Sequence, residues 1–441
     1  LWRLGILSKT KHNEAAPCQH ELAPVYADAN TACDDNQKMM AIMKKCAAKH
    51  NLVCLLHEKP FAGVNGSGKH DNWSLSTDTG SNLFSPGKTP RQNARFLVFL
   101  AAFIAGVDEY QDFLRCTVAT AGNDHRLGAS EAPPAIVSIY LGDELNAVVQ
   151  SIIDGTNYTD PEKSVLRIGV DVLPMIPKDT TDRNRTSPLA FTGNKFEFRM
   201  LGSSQSVSGP NIALNTIMAE ELGRFADVLE KADNFDAALQ TLVCKALTEH
   251  SRIIFSGNGY SEEWKREAAQ RGLSNLPSTA EAMPTYVSDK NVDLVTRHGV
   301  FTETEFRARY RIHLDAYNKV VAIEAKTMID MALHQILPAA LGYTKELCDG
   351  IAVKKTLGLP CKAETSLADS LSTGCDGLYE AVEALKQSLS QVPEAAEEAA
   401  LHYRRVVQPR METVRTQADH LETLTDKRHW PFPTYSDLLF Y

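Results

Sequence analysis

The sequence has no Cys-x-x-Cys pair among its nine cysteines. That argues against a zinc ribbon, and the odd count argues against a closed disulfide framework, so reduced intracellular thiols are expected. It has no basic surplus either. With 46 Lys and Arg against 55 Asp and Glu, the formal charge is −9 and the pI is near 5.8, which is unsuited to neutralising a phosphate backbone. Mean hydropathy is −0.25, and no apolar run reaches membrane length. The longest, Phe96 to Val107, lies between Arg95 and Asp108 and predicts a core helix. Fixed-period repeats, low-complexity linkers and a leader-like segment are missing as well. What remains is a chain of 441 residues, enough for two or three domains with a sizeable core. It opens on Leu1-Trp2-Arg3 without an initiator Met, so it is expected to be part of a longer protein.

Two textures meet near residue 215. Before it, short apolar runs are broken by Gly, Pro, Asn and Asp. Val53–Leu56, Ile136–Tyr140 and Phe196–Met200 are strand candidates; Asp34–His50 and Asn93–Ala119 read as helices, the first amphipathic through Met39, Met40, Ile42, Met43 and Cys46. The mixture predicts an α+β fold for 1–215. From 216 to 441 the pattern is helical. A helix is expected over Asn211–Ala232 after a Gly-Pro stop. Another should run from Thr302, in capping-box spacing with Glu305, to about Leu337, where Pro338 should end it. Leu378–Leu389 and Glu394–Leu424 continue the pattern, with Pro409 expected to kink or break the last segment, and the aromatic tail Trp430–Tyr435 suggests docking onto another surface.

Four clusters carry chemistry. Lys59 to Leu75 holds Gly63, Gly66 and Gly68, then His70, Asn72 and Ser74 at alternating positions. On a strand these three share one face beside a glycine-rich loop; a glycine turn with a polar face stays open as the plain alternative. Lys195, Glu197 and Arg199 alternate with Phe196, Phe198 and Met200, either as a functional face or as cross-strand charge pairs. Upstream, Asp182-Arg183-Asn184-Arg185-Thr186 adds guanidinium groups suited to carboxylate or phosphate; an exposed turn remains open. The polar loop Asn123 to Pro134 contains Arg126 and Glu131, with a simple connection as the plain alternative, and Lys11 to Glu21 carries Glu14 and Glu21, which could converge on one hard cation or stay as solvated carboxylates.

Together and in this order, the clusters resemble glutamine synthetase. "KPFAGVNGSGKHDNWSL" is similar to the family's ATP-site signature. "HNEAAPCQHELAPVY", "AGNDHRLGASEAPPAI", "DRNRTSPLAFTGNKFEFRMLGSS" and "WPFPTYSDLLFY" resemble the type III branch. The resemblance runs from about residue 3 to the C-terminus.

It implies glutamate + ATP + ammonia → glutamine + ADP + phosphate, through a γ-glutamyl phosphate. Glu14 and Glu21 match carboxylates on a first metal, and His70 and Glu197 match ligands of a second; such donors suit Mg²⁺ or Mn²⁺. Asn65 and Gly66 match positions holding the substrate's amino-acid end. Arg126, Arg185 and Arg199 match arginines for the glutamate carboxylates and the transferring phosphoryl group. Lys195, Asn72 and Ser74 fall on the nucleotide side, and Glu131 matches the flap glutamate. The implied fold is an antiparallel sheet with flanking helices and a helical extension. The resemblance implies a cytoplasmic homo-oligomer, a double hexameric ring, without nucleic-acid or membrane partners.

Departures qualify the match. Ala190 stands where common types have an Arg, and that contact is lost or supplied elsewhere, Arg183 being the nearest candidate. The family's Glu-x-Glu pair would precede residue 1, so residues 1–441 alone are expected not to make glutamine. A sister ligase joining glutamate to another amine, and an inactive structural subunit, are the alternatives.

Overall fold

The computed structural model describes residues 1–156, 165–166, 176–177, 184–434 and 437. Asp182, Arg183 and Tyr435 lie outside them. The chain packs as two units, Leu1–Ala308 and Arg309–Tyr441.

The first unit opens with an antiparallel hairpin, β1 (Ser8–Asn13) and β2 (His20–Pro24), followed by helix α1 (Ala29–Lys49) and strand β3 (Gly68–Trp73). Next come α2 (Ala94–Glu109), α3 (Gln111–Cys116), α4 (Ala121–Asp124), β4 (Ile139–Tyr140) and α5 (Asp143–Ile153). A short pair, β5 (Val165–Leu166) and β6 (Ile176–Pro177), precedes β7 (Leu189–Phe191) and β8 (Phe196–Gly202). Helices α6 (Ser208–Leu229), α7 (Phe235–His250), α8 (Glu262–Gln270), α9 (Thr279–Tyr286) and α10 (Asp289–Arg297) complete its regular structure up to α11 (Glu303–Met331). The central sheet has the order β3-β8-β7-β4; its first two pairings are antiparallel and β4–β7 is parallel. The expected α+β class therefore holds, with one parallel pair in the sheet.

Strand β8 is buried along its whole length. Phe196 stacks on Phe103 of α2 at 3.7 Å between ring centroids and meets Phe84 edge-on at 5.3 Å. Trp73 of β3 joins them, 5.7 Å from Phe103. These rings fasten two strands to the buried α2, whose sequence already predicts a core helix; aromatic pairs of this kind add to the burial of their large apolar area.

Below the other end of β3 lies Arg126. Its guanidinium donates to the main-chain oxygens of Met200 (3.3 Å) and Arg199 (3.2 Å). Burial pushes its pKa down to about 10, against the opposing pull of Glu58. Glu58 is itself buried and accepts from Ser204 N at 2.9 Å. The glycine loop passes directly over this layer. A Cβ on Gly66 would stand 2.5 Å from the Glu58 oxygen, and one on Gly68 would stand 2.1 Å from Arg126 Nη2. Here glycine is required by proximity of the chains.

In the second unit, α12 (Leu337–Thr356), α13 (Lys362–Ser390), α14 (Ala396–His402) and α15 (Gln408–Leu424) pack along one another, with α13 against both α12 and α15. No helix among the described residues is long and apolar enough to cross a membrane.

Several local expectations change. Pro338 does not end its helix: a π-turn over Ala332–Ile336 connects α11 to α12, and a second over Tyr403–Val407 precedes Pro409. A proline lacks one amide donor and crowds the carbonyl four residues back. The wider turn accommodates both effects, and helix continues beyond it. Gly209 and Pro210 likewise lie inside the first turn of α6, where a missing N–H costs little. The Thr302–Glu305 box forms reciprocally, at 2.8 and 3.3 Å. Val53–Leu56 forms no strand, since no neighbouring strand supplies a ladder; Val53 and Leu55 are exposed. The Ile136–Tyr140 strand shortens to β4, and the helix expected over Asn93–Ala119 divides at Tyr110. On α1, which starts earlier at an Asp28 cap, Met39 alone of the expected apolar face is buried.

Gly68→Ala should lower the unfolding free energy by about 1–3 kcal/mol by driving Arg126 from the β8 carbonyls. Gly223→Ala, on an exposed part of α6 with nothing within 4 Å of the new methyl, should stabilise by about 0.4–1 kcal/mol. Denaturant unfolding of the two variants checks this; equal and opposite signs to those given would refute the packing.

Candidate functional site

Hairpin register builds the first cluster. His12 lies opposite Glu21 across β1–β2, and Glu14 follows two residues later, on the His12 side of the strand. His12 Nε2 is 2.5 Å from Glu14 Oε1 and 2.8 Å from Glu21 Oε2. One donor atom from each of the three residues lies within 4.8 Å of the others. The tip is closed by Glu14 N donating to the Gln19 oxygen at 2.9 Å. Gln19 Nε2 then donates to the Gly66 oxygen at 3.1 Å, joining the hairpin to the glycine loop.

The second cluster arises where β3 meets β8. Exposure alternates along β3, with His70 and Asn72 outward and Trp73 buried. Asn72 pairs with Glu197, but the register shifts between Lys69 and Asp71. Such an irregularity locally re-aims a side chain, and His70 Nδ1 comes to 3.1 Å from Glu197 Oε1. His70 is also among the groups that influence the pKa of both Glu14 and Glu21, so the second cluster lies near the first.

The electrostatics of the first cluster fit a cation shared by Glu14 and Glu21. Burial, followed by the adjoining Glu14, raises the Glu21 pKa, whereas the contact with Glu21 lowers that of Glu14. Two carboxylates this close resist simultaneous ionisation unless positive charge is supplied. Glu14 and Glu21 in the first cluster, and Glu197 with the His70 imidazole in the second, offer mostly hard oxygen donors. The set suits a divalent cation of the magnesium or manganese kind.

The arginines occupy different positions. Arg199, buried on β8, donates through Nη1 to the Asn184 oxygen at 3.0 Å, and its Nε lies 3.9 Å from Glu197 Oε2. Burial lowers its pKa, while Glu197 opposes the shift. Arg185 is exposed and ion-paired with Glu131. Glu131 sits in a loop where Gly128, Ser130 and Glu131 all have positive φ, at 95°, 50° and 67°. Such strain in non-glycine residues persists only where the surroundings hold it. Arg126 faces the β8 main chain, as described above.

The remaining expected residues fall around this centre. Asn65 is half-buried in the glycine loop, and Gly66 presents its carbonyl to Gln19. Lys195 is half-buried at the turn into β8. The Ser74 hydroxyl donates to the Asn194 oxygen at 2.8 Å and accepts from Asn82 at 2.9 Å, which engages it in the fold. Ala190 is buried opposite Glu197 in the β7–β8 register.

Sequence reading gave no role to three residues that the structure brings in. His12 was accessible through its two-residue parity with Glu14. Asn184 carries a positive φ of 30° and links Arg199 to neighbouring loops. Tyr260, whose electrostatic neighbours include Arg199, Glu131 and Arg126, comes from a segment with no local motif.

Comparison with known proteins adds a family. The glutamine synthetase catalytic domain model matches residues 1–139, and the glutamine synthetase C-terminal domain model matches 238–355. The type-3 glutamine synthetase of Dictyostelium discoideum is 46% identical over 453 aligned positions, covering 100% of this chain and 61% of the relative. Glutamine synthetases of Butyrivibrio fibrisolvens and Bacteroides fragilis are 45% and 42% identical; they cover 100% and 99% of this chain, and 63% and 62% of their own lengths are matched. The chain thus spans a little over three fifths of these curated relatives. With two domain models of one family and alignments along its full length, this chain belongs to the glutamine synthetase family.

Proposed function

We propose that the protein ligates ammonia to the side-chain carboxylate of L-glutamate, using ATP and a γ-glutamyl phosphate intermediate. One observation carries the reading within this family: His12, Glu14 and Glu21 cluster on a hairpin bonded through Gln19 to the glycine loop, and the strand that follows this loop carries His70 to Glu197. Magnesium or manganese ions, one held by Glu14 and Glu21 and a second by His70 and Glu197, would screen phosphate charge.

The chain's own residues do the rest. Asn65 and Gly66 hold the amino-acid end of glutamate. Arg199 and Arg185 meet the reacting carboxylate and the phosphoryl oxygens, countering charge as the γ-phosphoryl group moves to the carboxylate oxygen and ADP leaves. Arg126, bonded to β8 main chain, supports the substrate loop from beneath. Lys195, Asn72 and Ser74 border the nucleotide. Glu131, released from Arg185, covers the acyl phosphate against water and accepts a proton from ammonium. Ammonia then forms the C–N bond as phosphate departs. Residues 1–215 form the catalytic portion in this reading, with the helical region 216–441 following. The assembly we assign is a cytoplasmic homo-oligomer, a double hexameric ring on the strength of the family resemblance.

A coupled assay of ADP release in the complete protein, with glutamate and either ammonia or alkylamines, tests the reaction. Ammonia should support turnover at least about tenfold faster than any amine, a margin of roughly 1.4 kcal/mol. Preference for an amine would identify a sister ligase, and glutamate-independent ADP release would contradict the reading.

The raised Glu21 pKa gives a second test. Protons compete with the cation for Glu21, whose pKa is raised, so Mn²⁺ affinity should fall as pH drops from about 7 to about 5. Calorimetric Mn²⁺ titrations in buffers of different ionisation enthalpy should also record proton release. Affinity independent of pH, without proton release, would remove Glu21 from the cation site.

A further inference from the structure

We propose that the loop from Ser256 to Tyr260 walls the glutamate subsite and that Tyr260 determines specificity there, its phenol O–H donating to the side-chain carboxylate of bound glutamate. This rests on the ligase reading above. The loop is far from the other site residues in sequence but is fixed against them in space. Asn184 Nδ2 donates to the Gly257 oxygen at 2.8 Å, and Gly259 N donates to Thr186 Oγ1 at 2.9 Å. Asn184 Oδ1 accepts from the Thr186 hydroxyl at 2.8 Å, while its main-chain oxygen accepts from Arg199 at 3.0 Å. One asparagine therefore sets the loop relative to the buried arginine.

Tyr260 ends this loop. Its hydroxyl is buried, and no partner meets it in normal hydrogen-bond geometry among the described residues. Burial raises its pKa; the nearby Arg199 and Arg126 and the Glu131 main chain act the other way, and the Glu131 carboxylate adds to the rise. The phenol thus remains a neutral donor at physiological pH. A neutral donor beside two guanidinium groups is arranged for a carboxylate, which accepts charge-assisted hydrogen bonds. A cavity of about 430 Å³, lined in part by Asn184, Arg185, Thr186, Ser256 and Asn258, opens beside the loop. The Arg199 side is also the side of Glu197 and His70, which assigns the reacting carboxylate to Tyr260.

Tyr260→Phe in the complete protein keeps the ring and removes the donor. The KM for glutamate should rise about tenfold or more, as expected for losing one hydrogen bond to a charged group. The KM for ATP should stay within about twofold, with Tm unchanged. Thr186→Val leaves Tyr260 intact but releases Gly259, and it should raise the glutamate KM in the same direction. Calorimetric binding of glutamate to parent and variant reads the subsite without turnover. Weaker binding by Tyr260→Phe supports the proposal even if the parent makes no glutamine, an outcome that would overturn only the ligase reading. Equal glutamate affinities, an unchanged glutamate KM in both variants, or equal rises for glutamate and ATP would overturn the Tyr260 assignment.

Discussion

A strand buried on both faces carries a carboxylate and a guanidinium. Glu197 and Arg199 are each only 4% exposed, and charges so placed require compensation. Their neighbours provide it. Glu197 faces His70, and Arg199 donates to the Asn184 carbonyl. The aromatic stack of Phe196, Phe103 and Phe84 on the other face makes β8 rigid enough to hold the charges in position. A site that acts through fixed electrostatics needs such a support, because groups that must reorient lose much of their advantage.

The glycine loop and the Glu131 loop are held in different ways. Arg126 and Glu58 form a buried layer beneath the loop, bonded to the β8 main chain and to Ser204. Absence of side chains at Gly66 and Gly68 allows the loop to lie on that layer. The Glu131 side chain instead stands in solvent, paired with Arg185. An exposed ion pair contributes little stability, so separating Glu131 from Arg185 requires little free energy. Firmly held buried charges and a weakly held exposed ion pair thus occur near one another for different physical reasons.

Much of this was legible in the sequence where period-two alternation applies. The shared faces of His70 and Asn72, and of Phe196 and Phe198, follow from strand parity alone. The buried α2 followed from its apolar run. Parity did not reveal the register shift at His70, because a bulge depends on both strands. The two prolines misled for a related reason: local rules give the cost of proline in an α-turn, while the π-turns at Ala332–Ile336 and Tyr403–Val407 arise from packing that keeps the helix continuous. Tyr260 was illegible for want of any local signal. Its place depends on Asn184 and Thr186, more than seventy residues away in the hydrogen bonds that fix its loop.

Transfer of oxygen tests the chemistry of the assembled site most directly. Glutamate labelled with ¹⁸O in its side-chain carboxylate is supplied to the complete protein with ATP and ammonia, and the released phosphate is analysed by mass. Attack on ATP by that carboxylate predicts one labelled oxygen in each phosphate formed with glutamine. Unlabelled phosphate accompanying glutamine would contradict the acyl phosphate route and the roles assigned to Arg199 and Glu131.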